Sequence, residues 1–384
     1  MRRIPVSSLE PGQKVMESIE VPSPQDNVQF LLRIPEGTKL TQKHIRRLRD
    51  ANVNYITVRD PATDDLDEYV FDPELEQAQE EVIEQFNRIA EENENGGLSR
   101  EEIGRFRSTI DNLVDRLKNS QVMASFTTLK TQDNYTARHS LDVAKISLML
   151  VLKDERYFRS QLKQETSASQ KYVNRYLLED LGMGAMLHDL GKQNVPNDIL
   201  KKPGKLSDSE FETIKSHPEH GYEELKQFDI ELNAPVKVPA FQHHEKFNGS
   251  GYPRGRSGKN IHLYGRITAL ADVFSALTSS RPYRDAKSSD RALTIMHDMQ
   301  SNGPHFDPEL YDRFLEVVYP YPVGLDVKLS DGSRGVVSEV NPNCPDQPTV
   351  RVLYKNGSRL SNPREIQVNT ESTPDIKTES KSVL

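Results

Sequence analysis

The chain has 384 residues, of which 28 % are charged and 35 % hydrophobic. That is too long for one ordinary domain, and roughly two or three are expected. Its net charge of −8 argues against a chain-wide nucleic-acid-binding surface, and no window approaches the ~20 apolar residues that span a bilayer. Cys344 is the single cysteine, which rules out an intrachain disulfide and a Cys-based zinc site. The opening Met1-Arg2-Arg3-Ile4-Pro5 carries no apolar signal core, so a cytoplasmic protein without a membrane span is expected.

Residues 1–70 read as a small α+β module. Val28 to Ile34 and Tyr55 to Val58 have strand character, and Thr41 is placed to cap a short helix carrying Ile45 and Leu48. Residues 71–120 predict an amphipathic helical hairpin connector. Asp72-Pro73 opens its first helix, with Leu75, Val82, Phe86 and Ile89 on one face. Ser99 and Glu102 form a capping-box pattern for the second, whose stripe runs Ile103, Phe106, Ile110, Leu113, Val114 and Leu117. The stripes suit a homodimer contact or packing within the chain. Residues 121–320 are dominated by helical periodicity and hold nine of the ten histidines. Residues 321–369 predict a small β-barrel-like appendage, with turns at Asp331-Gly332 and Asn356-Gly357. The polar segment 370–384 has little to bury and is expected to be disordered. The fold class is therefore mainly α, flanked by a small α+β module and a small β appendage.

The ligand-capable side chains of the middle region are His139, His188, Asp189, His217, His243, His244 and Asp272, each in a segment of helical periodicity. So many nitrogen and oxygen donors without a thiolate suit a pair of transition-metal ions. A single tetrahedral zinc needs only three or four. Two metals sharing a bridging carboxylate are suited to attack at phosphorus.

These residues sit in blocks that resemble, in order, the HD-GYP subgroup of the HD-domain phosphohydrolases. The blocks are Tyr135 to Ser140, Leu187-His188-Asp189-Leu190-Gly191-Lys192, Ile199 to Leu206, His217-Pro218-Glu219, His243-His244-Glu245, Gly249-Ser250-Gly251-Tyr252-Pro253, Ala271 to Thr278 and Arg281 to Arg284. The resemblance implies an all-helical catalytic domain with two divalent metals, iron foremost and manganese as the alternative. It implies a phosphodiesterase of the bacterial second messenger cyclic di-GMP, with a metal-held hydroxide giving pGpG or GMP.

Carried across position by position, the resemblance makes His139, His188, Asp189, His217, His243, His244 and Asp272 the metal ligands, with Asp189 bridging. It makes Lys192 a catalytic contact to a phosphate oxygen, and gives Tyr252, Arg281 and Arg284 contacts to substrate. It also implies GGDEF-type partner proteins at the Gly249–Pro253 loop. Three positions depart from the family pattern. Tyr135 stands where three-metal members carry Glu, so two metals are expected. Asn248 stands for an Asp before the loop. Ser275 stands for an Asp that can pair with the lysine, and its substitution predicts a less firmly oriented Lys192. The alternatives are a weakly active or inactive receptor for cyclic di-GMP or protein partners, and a hydrolase of another cyclic dinucleotide. His44, His220, His262, His297 and His305 fall outside the ligand pattern and are expected to be structural.

Overall fold

The computed structural model describes residues 2–6, 9, 11–16, 18–22, 30–51, 53, 55–95, 99–120, 135–166, 168–200, 202, 204–227, 232–279 and 286–377. The chain divides into two compact units, one from Met1–Asp72 and Tyr321–Glu379, the other from Pro73–Ser120 and Phe126–Pro320.

In the first unit, strands β1 (Arg2–Pro5), β2 (Lys14–Val15) and β5 (Tyr55–Arg59) form a sheet of order β1-β5-β2. β3 (Ile19–Pro22) pairs with β4 (Phe30–Ile34) beside it in sequence. Helix α1 (Gln42–Asp50) starts at a capping box in which Thr41 and His44 satisfy each other's backbone N–H groups, which gives His44 a structural task. Ile45 and Leu48 enter a core with Val15, Ile34, Ile56 and Val58. A short helix α2 (Asp67–Val70) ends this segment. The later strands β6 (Asp326–Leu329), β7 (Arg334–Glu339), β8 (Thr349–Lys355), β9 (Ser358–Gln367) and β10 (Ile376–Lys377) make an antiparallel sheet of order β10-β6-β7-β8-β9. Asn356 and Gly357 both take positive φ, as the tight hairpin between β8 and β9 requires.

Two expectations need correcting here. The N-terminal module and the β appendage are not separate, because Leu66 shares a core with Val323, Val336 and Leu353. Arg351 also grips Asp65 with two hydrogen bonds of 2.6 and 2.8 Å. Nor is the segment after Thr370 free of structure. Ile376 pairs with Leu329 and packs against the core of the sheet, so one apolar residue suffices to recruit a closing strand. The last seven positions, 378–384, lie outside the described residues.

The second unit contains α3 (Pro73–Asn95), α4 (Arg100–Asn119), α5 (Tyr135–Lys153), α6 (Glu155–Glu165), α7 (Gln170–Met186), α8 (Asn197–Leu200), α9 (Asp208–Ile214), α10 (His217–Gln227), α11 (Val238–Gln242), α12 (Leu263–Thr278), α13 (Ser289–Ser301) and α14 (Pro308–Leu315). α5 packs against α7 and α12. Residues 139–148 of α5 and 263–272 of α12 are buried almost all round, the mark of helices at the centre of a bundle. The hairpin expected as a connector is part of this bundle. Ser99 caps α4 as read, and α3 and α4 pack on each other and on α5 and α7. Phe106, Ile110 and Leu113 are fully buried there, each contributing about 1.5–3 kcal/mol by leaving water. These stripes are used within the chain and are no reason to expect a dimer.

Candidate metal centre

The bundle brings all seven candidate ligands to one place from five stretches of chain. His139 is in the first turns of α5, and His188-Asp189 is the turn that ends α7. His217 begins α10, His243-His244 follows α11, and Asp272 lies within α12. The HD turn lies close against α10 because Gly191 has no side chain. A Cβ there would come within 2.1 Å of the His217 carbonyl and 2.3 Å of the Gly221 nitrogen.

Two groups form, His139-His188-Asp189 and His217-His243-His244, with the ligand atoms within each group no more than 4.8 Å apart. Asp189 stands between them. Its Oδ2 lies 3.4 Å from His188 Nε2 and 3.8 Å from His139 Nε2. Its Oδ1 lies 3.5 Å from His217 Nε2 and 3.7 Å from His243 Nε2. Asp272 spans the groups too, with Oδ1 3.0 Å from His139 Nε2 and Oδ2 3.9 Å from His244 Nδ1.

Hydrogen bonds behind the imidazoles fix which nitrogen faces inward. His188, His217 and His243 each direct Nδ1 at a backbone carbonyl, of Ala185, Ile214 and Pro239, at 2.7 Å. A carbonyl only accepts, so Nδ1 carries the proton and Nε2 presents a lone pair. The inward nitrogens of His217 and His243 are 3.2 Å apart. Burial keeps both rings neutral, pushing His217 down to about 4 and His243 well below the usual histidine range. No proton is therefore available between them, and two lone pairs at that distance repel unless a cation lies at their focus. Asp189 Oδ1 and His188 Nε2 are likewise buried without a hydrogen-bond partner among the described residues, an arrangement costly in an apolar core.

Apart from His188, the charge states agree with a cation site. Burial also pushes His244 down to about 3. The Asp189 carboxyl stays well below its usual range although burial opposes ionisation, because Lys192 and the surrounding imidazoles outweigh it. Asp272 is lowered in the same way, mainly through its bond to His139. His188 runs upward, since the adjacent Asp189 charge overcomes its burial. Neutral imidazoles and ionised carboxylates are the forms that bind divalent metals. The residues fit such ions.

Lys192 is held by Asp189 itself, Nζ to Oδ2 at 2.5 Å. Ser275 lies elsewhere than its sequence position suggested. Its buried Oγ is 2.9 Å from His139 Nδ1, so this hydroxyl orients the ring through the nitrogen that does not meet Asp272. Replacing Ser275 with Ala should weaken divalent-metal binding about 10- to 100-fold while the protein stays folded. Manganese titration of the metal-free protein checks this, and an unaltered affinity would refute it.

The Gly249–Pro253 loop closes over His244. Gly251 approaches so closely that a Cβ would stand 2.4 Å from the His244 carbonyl and from the Lys246 nitrogen. The Tyr252 ring then lies 4.7 Å from that of His244. Glu245 anchors the loop, its buried carboxylate accepting from the Arg254 and Arg256 backbone N–H groups at 2.8 and 2.9 Å. Sequence reasoning gave Glu245 no role, and its position directly after the two histidines was the available signal. Asn248 starts the loop by accepting from the backbone and hydroxyl of Ser250, a task that needs an oxygen but no charge. Arg281 and Arg284 lie outside the described residues.

The remaining histidines of the helical unit belong to neither group of ligands. His220 is exposed on α10. His262 caps α12, its Nδ1 accepting from the Tyr264 N–H at 3.1 Å. Burial, with the Arg266 charge, pushes its pKa down to about 4. Between that value and about 6.5, where an unfolded histidine titrates, only the unfolded chain takes the proton. Stability therefore falls as pH drops through this window. Relative to His262→Asn, which retains a cap without titrating, the native protein should lose about 2 kcal/mol more between pH 7.5 and 5. Denaturant unfolding at the two pH values measures this, and equal slopes would refute it.

The family model for the HD domain matches residues 144–310, a span holding every candidate ligand except His139. A cyclic di-GMP phosphodiesterase of Pseudomonas aeruginosa is 35 % identical over 250 residues, covering 65 % of this chain and 55 % of that protein. The cyclic di-GMP phosphodiesterase response regulator RpfG of Xanthomonas campestris pv. campestris is 44 % identical over 133 residues, 35 % of each chain. A 3'3'-cGAMP-specific phosphodiesterase of Vibrio cholerae is 42 % identical over 130 residues, 34 % of this chain and 24 % of that protein. The chain spans about half the length of the first curated relatives it matches. No helix among the described residues is long and apolar enough to cross a membrane. The ordered blocks of histidines and aspartates in the helical unit thus lie, from His188 to Asp272, within the stretch that matches the HD domain.

Proposed function

We propose that this protein is a metal-dependent phosphodiesterase that hydrolyses cyclic di-GMP to pGpG or GMP in the cytoplasm, using two iron or manganese ions. The observation that carries this reading is the pair of proton-free nitrogens of His217 and His243 facing each other at 3.2 Å. Asp189 stands beside them, with one oxygen toward each group of ligands. Two divalent cations held by His139, His188, Asp189, His217, His243, His244 and Asp272 would supply Lewis acidity and acidify a water for attack on phosphorus.

The chain's own residues set where a substrate approaches. Most of the candidate ligands are sealed, but the side chains of His244 and Lys192 are 25 % and 28 % exposed. The open side of the centre therefore lies between them. Lys192 places a compact positive charge there, suited to a phosphate oxygen gaining negative charge. Tyr252 lines the same side, its ring packed against that of His244. Arg281 and Arg284 complete the proposed substrate contacts, as planar donors for phosphate or guanine.

Relatives named for cyclic di-GMP and for 3'3'-cGAMP match at similar identity, so the substrate needs a direct contest. Equal concentrations of the two dinucleotides, given to manganese- or iron-loaded protein, should show cyclic di-GMP consumed faster, with pGpG or GMP formed. Faster loss of 3'3'-cGAMP would overturn the substrate assignment.

A further inference from the structure

Phe211 is one of two exposed large hydrophobic side chains among the described residues, at 45 %, the other being Leu200 at 39 %. An isolated surface phenylalanine is ordinary. This one ends a row of rings that begins at the metal centre. The His244 and Tyr252 ring centroids are 4.7 Å apart with planes tilted by 33°. Lys215 Nζ lies 5.8 Å from the Tyr252 centroid and 4.9 Å from that of Phe211, so one ammonium sits between the two outer rings. The segment carrying Phe211 and Lys215 is tied to the centre, because the carbonyl of Ile214 accepts from His217 Nδ1 at 2.7 Å. Glu212 Oε1, 2.6 Å from Lys215 Nζ, holds that ammonium in place.

We infer that Phe211 and Lys215 form a subsite for the part of the substrate remote from the cleaved bond, with a purine stacked on Phe211 and a phosphate oxygen facing Lys215. This rests on the phosphodiesterase reading, since it takes the other half of the same cyclic dinucleotide. Any base presents a π face to an exposed phenyl ring, and a purine presents the larger one. The ammonium meets the flanking phosphate as a point charge. A phosphodiester without a base would use the metal centre alone.

The test compares native protein with Phe211→Ala and Phe211→Trp. Binding of cyclic di-GMP is measured calorimetrically on the metal-free full-length chain. Efficiency toward cyclic di-GMP and bis(4-nitrophenyl) phosphate is measured after manganese loading. Phe211→Ala should weaken cyclic di-GMP binding about tenfold or more. It should also lower the cyclic di-GMP to bis(4-nitrophenyl) phosphate efficiency ratio by a similar factor, mainly through KM, and Phe211→Trp should restore both. Unchanged binding and an unchanged ratio would overturn the subsite while leaving the phosphodiesterase reading intact. If native protein binds cyclic di-GMP without cleaving it, that reading fails, and tenfold weaker binding by Phe211→Ala still supports the subsite. Absence of cyclic di-GMP binding to native protein overturns the subsite.

Discussion

Asp189→Ala is expected to empty the centre of metal and to lower cyclic di-GMP hydrolysis by at least about a hundredfold, since outer-shell changes alone cost 10- to 100-fold. The two oxygens of Asp189 face both groups of imidazoles, at 3.4 and 3.5 Å to their nearest nitrogens. Its loss leaves Asp272 as the one carboxylate among the candidate ligands and removes the charge that also anchors Lys192. The fold should survive, because the central helices are held by apolar packing. Metal analysis and far-UV circular dichroism of the variant measure both parts. His220→Ala provides the control. That residue is exposed, only three positions after His217, and its removal should leave metal content near the native value. A variant at Asp189 that retains two metals, or one at His220 that loses a metal, would show the ligand assignment to be wrong.

Gly191→Ala should do nearly as much damage without touching a ligand. The added methyl would stand 2.1 Å from the His217 carbonyl and 2.3 Å from the Gly221 nitrogen. Both are backbone atoms and cannot swing aside as a side chain would. Relief requires the HD turn to part from α10, which draws Asp189 away from His217. Overpacking of this kind costs about 1–3 kcal/mol, and metal affinity should fall with it. Thermal unfolding and metal titration together read the effect. An unchanged midpoint with full metal loading would mean that the close approach is not needed to assemble the centre.

The centre was unusually legible because its chemistry needs residue types seldom clustered for any other reason. His139, His217 and Asp272 lie in helices and the His188-Asp189 and His243-His244 pairs in the turns after α7 and α11, and the fold brings them together from positions 133 residues apart. What supports them was harder to read. Ser275 is one helical turn beyond Asp272, and only the packing of α12 on α5 shows that its hydroxyl meets His139. Glu245 works through backbone N–H groups, which leave no trace in side-chain identity. The first unit was misread for a related reason. The partners Asp65 and Arg351 are 286 positions apart, and strands of a few residues reveal their pattern but not which distant strand or helix completes their core. The tail failed on composition, where one isoleucine in a polar segment outweighed the expectation of disorder.

Metal content is the most direct test of the account. The full-length protein should be purified without oxygen, stripped, and reconstituted with iron or manganese, and the bound metal counted per chain alongside cyclic di-GMP turnover. The geometry predicts about two metals per chain, with hydrolysis appearing only as they bind. Reconstituted protein that holds less than one metal per chain, or stripped protein that hydrolyses cyclic di-GMP at the same rate, would contradict it.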